Sequence, residues 1–261
     1  MKLSAAIFAI AFLPVRAFCE EHNFANGESI TVQSDQAYVL VRTIKQPGGM
    51  LRGNFRFSPI LIRVLSDEEL KSASALSQKD PEHWKDEIGS NVAEPLADQP
   101  YAEEGEEEFL LTSLKPGTYV LGGLAVTNWT TQGTGILTTS LCMGTVKFEA
   151  KPGVITDLGT IVTARDNEPT SIPELSGMVV GKGIDTDTIV EIAAVRPATA
   201  TTEKPKSIES APLVSADYQA VGAFPNYLSG PLSRLAPLPG VLDYDKDGQV
   251  IDLKAAKGTS P

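Results

Sequence analysis

Three aspartates near the C-terminus have the spacing of a cation-binding loop. The segment 243–248, Asp-Tyr-Asp-Lys-Asp-Gly, places a carboxylate at every second position and ends on a glycine. Carboxylate oxygens are preferred ligands of Ca²⁺, and the glycine permits the sharp bend that lets such oxygens converge. The pattern makes Asp243, Asp245 and Asp247 candidate ligands for calcium, the only cofactor that the sequence suggests.

The residues around this segment depart from the helix-loop-helix calcium site. Position twelve of the loop, which should carry a bidentate acid, is Lys254, and the Pro-rich segment 237–240 excludes an entering helix. The favoured interpretation is a β-hairpin in which residues 245–248 turn between strands at 241–244 and 249–253. An unconventional cation site is the alternative.

Side chains that act as nucleophiles or general bases are sparse. The histidines are His22 and His83, and the chain has no H-E-x-x-H, G-x-S-x-G or S-x-x-K motif. The common zinc and serine-nucleophile signatures are therefore missing. The 33 acidic residues still allow a pair of carboxylates such as glycosidases use. The sequence favours a non-enzymatic protein, with a carboxylate-based hydrolase as the alternative.

The first seventeen residues have the layout of a secretory signal peptide. Lys2 gives a positive start, residues 5–15 are apolar, and Val15 and Ala17 are small residues at positions −3 and −1. A membrane-spanning helix needs about 20 apolar residues, which this run lacks. We expect cleavage after Ala17 and export to a bacterial periplasm or the extracellular medium.

Whether the mature protein has one cysteine or two depends on where the signal peptide is cleaved. Cleavage after Ala17 retains Cys19, which is then able to form a disulfide with Cys142 in an oxidising compartment. Cleavage after Cys19 leaves Cys142 alone, and the sequence leaves both outcomes open. Arg16 and Phe18 interrupt the pattern required for lipidation. We therefore expect no stable membrane anchor in the mature protein.

The net charge limits the classes of partner. The full chain carries −11, and loss of Lys2 and Arg16 leaves 20 basic residues against 33 acidic ones, a net charge of −13. Such a surface repels nucleic-acid phosphates and anionic lipids. We expect no nucleic-acid binding. An unknown envelope protein or a glycan is the expected partner.

Apolar, β-branched runs separated by turn residues dominate the sequence. They occur within residues 28–65 and 109–164, which predicts strands. Residues 37–41 lack alternation, which indicates a strand buried on both faces. Capping signals predict a short helical insertion at about 66–88. The acidic connection at 89–108 is typical of a solvated loop.

One stretch resembles a known kind of sandwich. Residues 114–119, Leu-Lys-Pro-Gly-Thr-Tyr, and the hairpin at 148–159 resemble immunoglobulin-like and carboxypeptidase-regulatory-like (transthyretin-like) β-sandwiches of envelope proteins. The resemblance spans about residues 105–165. It implies a tyrosine corner, in which the Tyr119 hydroxyl bonds to upstream backbone. It implies a fold and no activity.

These patterns predict a mainly β protein, an antiparallel β-sandwich with a short helical insertion and an irregular C-terminal extension. The predicted organisation is a signal peptide at 1–17, a sandwich domain at 18–165, and a linker and extension at 166–261 that pack on the sandwich. Within the extension, the composition of residues 197–216 predicts a flexible linker.

Overall fold

The computed structural model describes most of the chain after residue 21. The described residues are 22–44, 55–65, 92–93, 100–104, 107–130, 133–165, 171–176, 178, 191–202, 204–226, 228 and 230–258. The predicted signal peptide, Cys19 and the whole predicted helical insertion at 66–88 lie outside these ranges.

The described residues are mainly strands, which run in chain order as follows. They are β1 (His22–Asn23), β2 (Ala37–Ile44), β3 (Phe55–Arg63), β4 (Val92–Ala93), β5 (Ala102–Glu104), β6 (Glu107–Leu114), β7 (Gly117–Thr130), β8 (Gly133–Ser140), β9 (Thr145–Ala150), β10 (Ile155–Arg165), β11 (Glu191–Arg196), β12 (Leu213–Ser215), β13 (Gln219–Val221), β14 (Leu242–Tyr244) and β15 (Val250–Asp252). Two 3₁₀ turns (Pro173–Leu175 and Lys206–Ile208) and an α-helix (Leu253–Gly258) accompany them.

The strands form two large sheets and one hairpin. The first sheet has the order β1-β6-β2-β10-β11. In addition, β12 pairs with β10, and β5 pairs with β6. The second has the order β13-β9-β7-β3-β4, with β8 also on β7, and β14 pairs with β15. The mainly β prediction is confirmed. Most pairs are antiparallel, but β10 runs parallel to both β2 and β12, so the first sheet is mixed.

The main core lies between the two sheets. Val39 and Val41 of the first sheet pack in one apolar cluster with Leu61, Leu121 and Phe148 of the second. Alternate residues of a strand face opposite sides of its sheet. The same strands therefore supply this core and present their other residues outwards. This two-layer arrangement is what the predicted sandwich requires.

Strand β2 is buried on both faces, as its lack of alternation predicts. All residues from Ala37 to Val41 are at most 1% exposed. On the outer face, Tyr38 and Leu40 belong to a second apolar cluster that contains Tyr101 and Ile208. Ile208 comes from the segment whose composition predicts a flexible linker. That segment instead carries a 3₁₀ turn and β12, because its apolar residues cover the first sheet.

Residues beyond 165 supply strands to both sheets. Strands β11 and β12 pair with β10 in the first sheet, and β13 pairs with β9 in the second. Leu235, Leu238 and Leu242 lie in the core between the sheets. The acidic connection at 89–108 also contributes a strand to the first sheet. Its strand β5 pairs with β6, which places Glu103 opposite Glu108.

A buried ion pair joins β2 to β10 at a β-bulge. The register of the two strands shifts between Asp157 and Thr160, and Gly159 has a φ of +80°. The Gly159 N–H donates to Asp157 Oδ1 at 2.8 Å, and Arg42 Nη2 donates to Asp157 Oδ2. Burial raises the pKa of the Asp157 carboxyl, and Arg42 opposes that shift. Both side chains are 1% exposed, so the pair belongs to the interior of the fold.

The turn before β7 carries the bond that the sandwich resemblance implies. The Tyr119 hydroxyl donates to the Lys115 carbonyl oxygen at 2.7 Å, across the Pro116-Gly117 turn. Its ring packs against Phe148 with 6.2 Å between ring centroids. The bond fixes the entry to β7. Membership of a sandwich family stays a prediction.

Candidate functional site

The aspartate segment forms the predicted hairpin. Strands β14 and β15 pair antiparallel, with Tyr244 opposite Val250. Asp245 Oδ1 accepts hydrogen bonds from the N–H groups of Asp247 at 2.8 Å and Gln249 at 2.9 Å. Gly248 closes the turn with a φ of +79°. The aspartate at the start of the turn therefore stabilises its own backbone, a common role of this residue in turns.

The candidate calcium ligands are not brought together. Asp243 Oδ1 accepts from the Tyr244 N–H at 2.8 Å, and Asp245 uses one oxygen for the turn. Among the described residues, no group of three or more His, Cys, Asp or Glu side chains is placed to hold a metal ion. Asp243, Asp245 and Asp247 all belong to the described residues.

Only one of the two candidate disulfide residues is described. Cys142 is buried and free, and its carbonyl oxygen accepts the Phe224 N–H at 3.0 Å. Cys19 lies outside the described residues. The pairing of Cys19 with Cys142 therefore stays a prediction, as does cleavage after Ala17.

Within the part of the chain that the structure describes, a groove between the edges of the two sheets is the candidate site. It encloses about 340 Å³. One wall comes from β9 and the residues after it, and the other comes from β10 and β12. Residues 216–218 cross from β12 in the first sheet to β13 in the second, and so close one end. We call this feature the edge groove.

Residues from both faces of β9 line the edge groove, Phe148 from the core side and Lys147 and Glu149 from the other. On β9, Val146, Phe148 and Ala150 are buried in the core. The intervening Lys147 and Glu149 lie on the opposite face of the strand and line the groove. A charged residue at every second position, followed by Lys151, gives this wall a polar rim over an apolar base.

The facing wall is less polar and holds an unpartnered hydroxyl. Val214 and Thr156 are directly paired between β12 and β10, and both line the groove together with Ser215. Thr156 is 1% exposed, and its Oγ1 has no hydrogen-bond partner among the described residues. Buried polar atoms without a partner are rare in folded proteins, so each such atom needs an explanation.

The charges of the edge groove are mostly neutralised in pairs. Lys254 Nζ donates to Asp217, and Lys151 Nζ lies 3.8 Å from Glu149 Oε2. Lys147 makes no ion pair within the part of the chain that the structure describes. The residues that line the groove carry two lysines and two acids, so their formal charges balance.

The two acids of the edge groove lie beside lysines rather than beside each other. The Glu149 and Asp217 side chains are 64% and 83% exposed, and each faces a lysine. Paired catalytic carboxylates act at a sheltered site, where their environments push their pKa values apart. The groove instead offers hydroxyl, amide and ammonium groups that donate hydrogen bonds.

The chain was compared with models of protein families, with curated proteins and with solved structures. None of the three comparisons finds a match. The candidate function therefore follows from the groove and the fold alone. Across the described residues, no helix has the length and apolar character needed to cross a membrane.

Sequence reasoning missed the edge groove. The alternation of Lys147, Glu149 and Lys151 along β9 was the only local signal for it. Nothing in the sequence indicates that Thr156 and Val214 face this strand edge. The two walls come from different sheets, and only the crossing at residues 216–218 brings them together.

Proposed function

We propose that this protein is an exported, non-enzymatic binding protein of the bacterial envelope, with the edge groove as its binding site. The observation that carries the proposal is the groove itself. Its volume of about 340 Å³ is within the range of ligand pockets. Its apolar base and polar rim match the composition of such pockets.

The fold supports a binding role. Residues of β9 and β10, such as Phe148 and Leu158, are buried in the main core and anchor these two strands beside the groove. Ligand sites on a rigid scaffold avoid much of the ordering cost of binding. Hydroxyl and amide groups at the rim, such as Ser215 and Gln219, suit a glycan or the backbone of an envelope protein.

The alternatives have less support from the structure. A carboxylate-based hydrolase needs two sheltered acids, whereas the acids of the groove are exposed and faced by lysines. A cation-binding module needs converging oxygens, whereas Asp243 and Asp245 accept from local backbone and Asp247 lies beside Lys246. Binding in the edge groove requires neither arrangement.

The test blocks the groove without touching the core. Val214 is 43% exposed at the groove wall, so Val214→Trp fills the groove while the sheets stay packed. Leu232→Trp is the matched control, because Leu232 is 40% exposed and does not line the groove. Both variants are compared with the wild type for retention on arrays of purified bacterial envelope glycans and envelope proteins.

We expect the wild type and Leu232→Trp to be retained by the same ligand, and Val214→Trp to lose at least about tenfold in affinity. Equal retention of all three proteins, or no retention of any, would overturn the proposal. Intact-mass measurement of the exported protein tests separately whether the signal peptide is cleaved. A mature mass that includes residues 1–17 would contradict export by a cleaved leader.

A further inference from the structure

The turn that follows β1 carries the groups that asparagine deamidation requires. Asn26 is the only asparagine of the chain that is followed by glycine. We infer that Asn26 is a modification site, where the side-chain amide reacts with the Gly27 backbone nitrogen and is converted to aspartate and isoaspartate. The site lies at the N-terminal edge of the first sheet, and the inference does not depend on the edge groove.

The reaction consumes only water, and its atoms balance. The Gly27 nitrogen loses its proton and attacks Cγ of Asn26, so a cyclic succinimide forms and the side-chain nitrogen leaves as ammonia. Water then opens the ring. Opening at the side-chain carbonyl gives aspartate, whereas opening at the main-chain carbonyl gives isoaspartate, whose extra methylene lies in the backbone. Both products carry a carboxylate in place of a neutral amide.

The turn is held at its two ends and is open at its tip. The Glu28 N–H donates to the Ala25 carbonyl oxygen at 3.1 Å, and Glu28 Oε2 accepts the Ala25 N–H at 3.0 Å. Between them, Asn26 and Gly27 are exposed, and Gly27 has a φ of +78°. Among the described residues, none forms a hydrogen bond with the Asn26 side chain or the Gly27 N–H. Because glycine has no Cβ, the attacking nitrogen is also unshielded.

The nearby Asn23 shows the opposite arrangement. Its Oδ1 accepts the Thr112 hydroxyl at 2.5 Å, so the side chain is held. The nitrogen that would attack it belongs to Phe24, and this N–H donates to the Leu111 carbonyl oxygen at 2.9 Å. Phe24 is also 8% exposed. The fold therefore protects Asn23 and leaves Asn26 open to reaction.

The products change the backbone and the charge of the turn. Isoaspartate at position 26 lengthens the main chain between Ala25 and Glu28. The hydrogen bond that closes the turn spans this point, so we expect it to be lost in the isoaspartate form. Aspartate keeps the backbone and adds a second carboxylate beside Glu28.

The experiment follows the purified protein in water enriched in oxygen-18, at pH 6 and pH 9. Peptide mapping by mass spectrometry locates the labelled oxygen, and fragment spectra distinguish Asn26 from Asn23. Chromatography separates the aspartate form from the isoaspartate form. The same incubation in urea gives the reactivity of the unfolded chain. The variant is Asn26→Gln, and the matched control is Asn226→Gln, which makes the same change at an exposed asparagine followed by tyrosine.

We expect the folded protein to take up label at residue 26 and not at residue 23. The rate at Asn26 should lie within about tenfold of its rate in urea. It should rise from pH 6 to pH 9, because the attacking nitrogen must lose its proton. Asn26→Gln should remove the reaction at this site, because the longer side chain forms a larger ring, and Asn226→Gln should leave the rate unchanged.

Three results would overturn the inference. The first is an Asn26 that reacts in urea and stays intact in the folded protein, which would show that the fold protects the tip of the turn. The second is equal reaction of Asn23 and Asn26 in the folded protein. The third is a lack of reaction at Asn26 in both states.

Discussion

The Tyr218 hydroxyl donates a hydrogen bond to the carbonyl oxygen of Leu158, with 2.7 Å between the two oxygens. Tyr218 lies on the segment that crosses from β12 in the first sheet to β13 in the second. Leu158 lies at the bulge of β10, next to the buried ion pair. The ring also packs edge-on against Phe148, at 6.1 Å between centroids. The crossing that closes the edge groove is thus fixed to both sheets.

Removal of this hydroxyl should destabilise the protein. Tyr218→Phe leaves the Leu158 carbonyl without its partner inside the core, so we expect a loss of about 1–3 kcal/mol in the free energy of unfolding. Urea denaturation measures the loss. Tyr119→Phe is the comparison, because its bond to Lys115 is only partly buried and should contribute less. An equal or smaller effect at Tyr218 would contradict its assigned role.

The same residue should make the protein sensitive to alkali. Burial raises the pKa of Tyr218 well above the ordinary value of 10.0. Below pH 10 the tyrosine is protonated in both states, and its contribution to stability is complete. As the pH rises above 10, the unfolded tyrosine ionises and the folded one does not, so the free energy of unfolding falls.

Unfolding curves at pH 8, 10 and 11 check this dependence. Tyr218→Phe should lose less stability than the wild type between pH 10 and 11, because it lacks the ionising group. Tyr244, whose pKa burial also raises, stays in both proteins and contributes equally. Identical pH profiles for the two proteins would contradict the prediction.

The buried pair of Arg42 and Asp157 should show strong coupling. Arg42→Met leaves the Asp157 carboxylate buried without its partner, and Asp157→Asn leaves the guanidinium in the same state. Each single change should cost about 3–5 kcal/mol, whereas replacing both residues should cost less than the sum. A double-mutant cycle by urea denaturation measures the coupling. Additive effects would show that the pair does not act as a unit.

Alanine substitutions at two glycines should distinguish the cost of backbone strain from the cost of a steric clash. Gly159 and Gly240 have φ values of +80° and +75°. A Cβ at Gly159 would lie 2.1 Å from the Arg196 carbonyl oxygen, whereas one at Gly240 meets no atom of the described residues within 4 Å. Gly240→Ala should therefore cost only about 1–2 kcal/mol of strain. Gly159→Ala should cost clearly more, as judged by thermal unfolding. Equal losses would show that the bulge relaxes around the new methyl group.

We expect Asp245 to stabilise the hairpin and not to bind calcium. Asp245→Ala removes the acceptor for the N–H groups of Asp247 and Gln249, with an expected loss of about 1 kcal/mol. Asp245→Asn keeps a side-chain oxygen there and should lose less. Calorimetry with calcium should give no binding heat for the wild type or Asp245→Ala. Heat that is present in the wild type and lost in Asp245→Ala would restore the calcium site.

Local patterns predicted the parts of the fold that depend on neighbouring residues. Turn residues between β-branched runs predicted the strands, and the lack of alternation at 37–41 predicted a strand buried on both faces. The Asp-rich segment predicted its hairpin, since a turn is specified by a few adjacent side chains. The composition of residues 197–216 predicted a flexible linker, but this segment is ordered. Its apolar residues, such as Ile208, are buried against the first sheet, which a composition typical of linkers does not indicate.

The sequence by itself determined a mainly β chain with a net charge of −11. Strand patterns depend on neighbouring residues, and net charge is a sum over all residues. Tertiary structure decided the pairing of Arg42 with Asp157, the crossing at Tyr218 and the edge groove. Each of these joins residues distant along the chain, such as Lys147 and Val214. Their proximity follows from the order of the strands in two sheets, which local preferences do not specify.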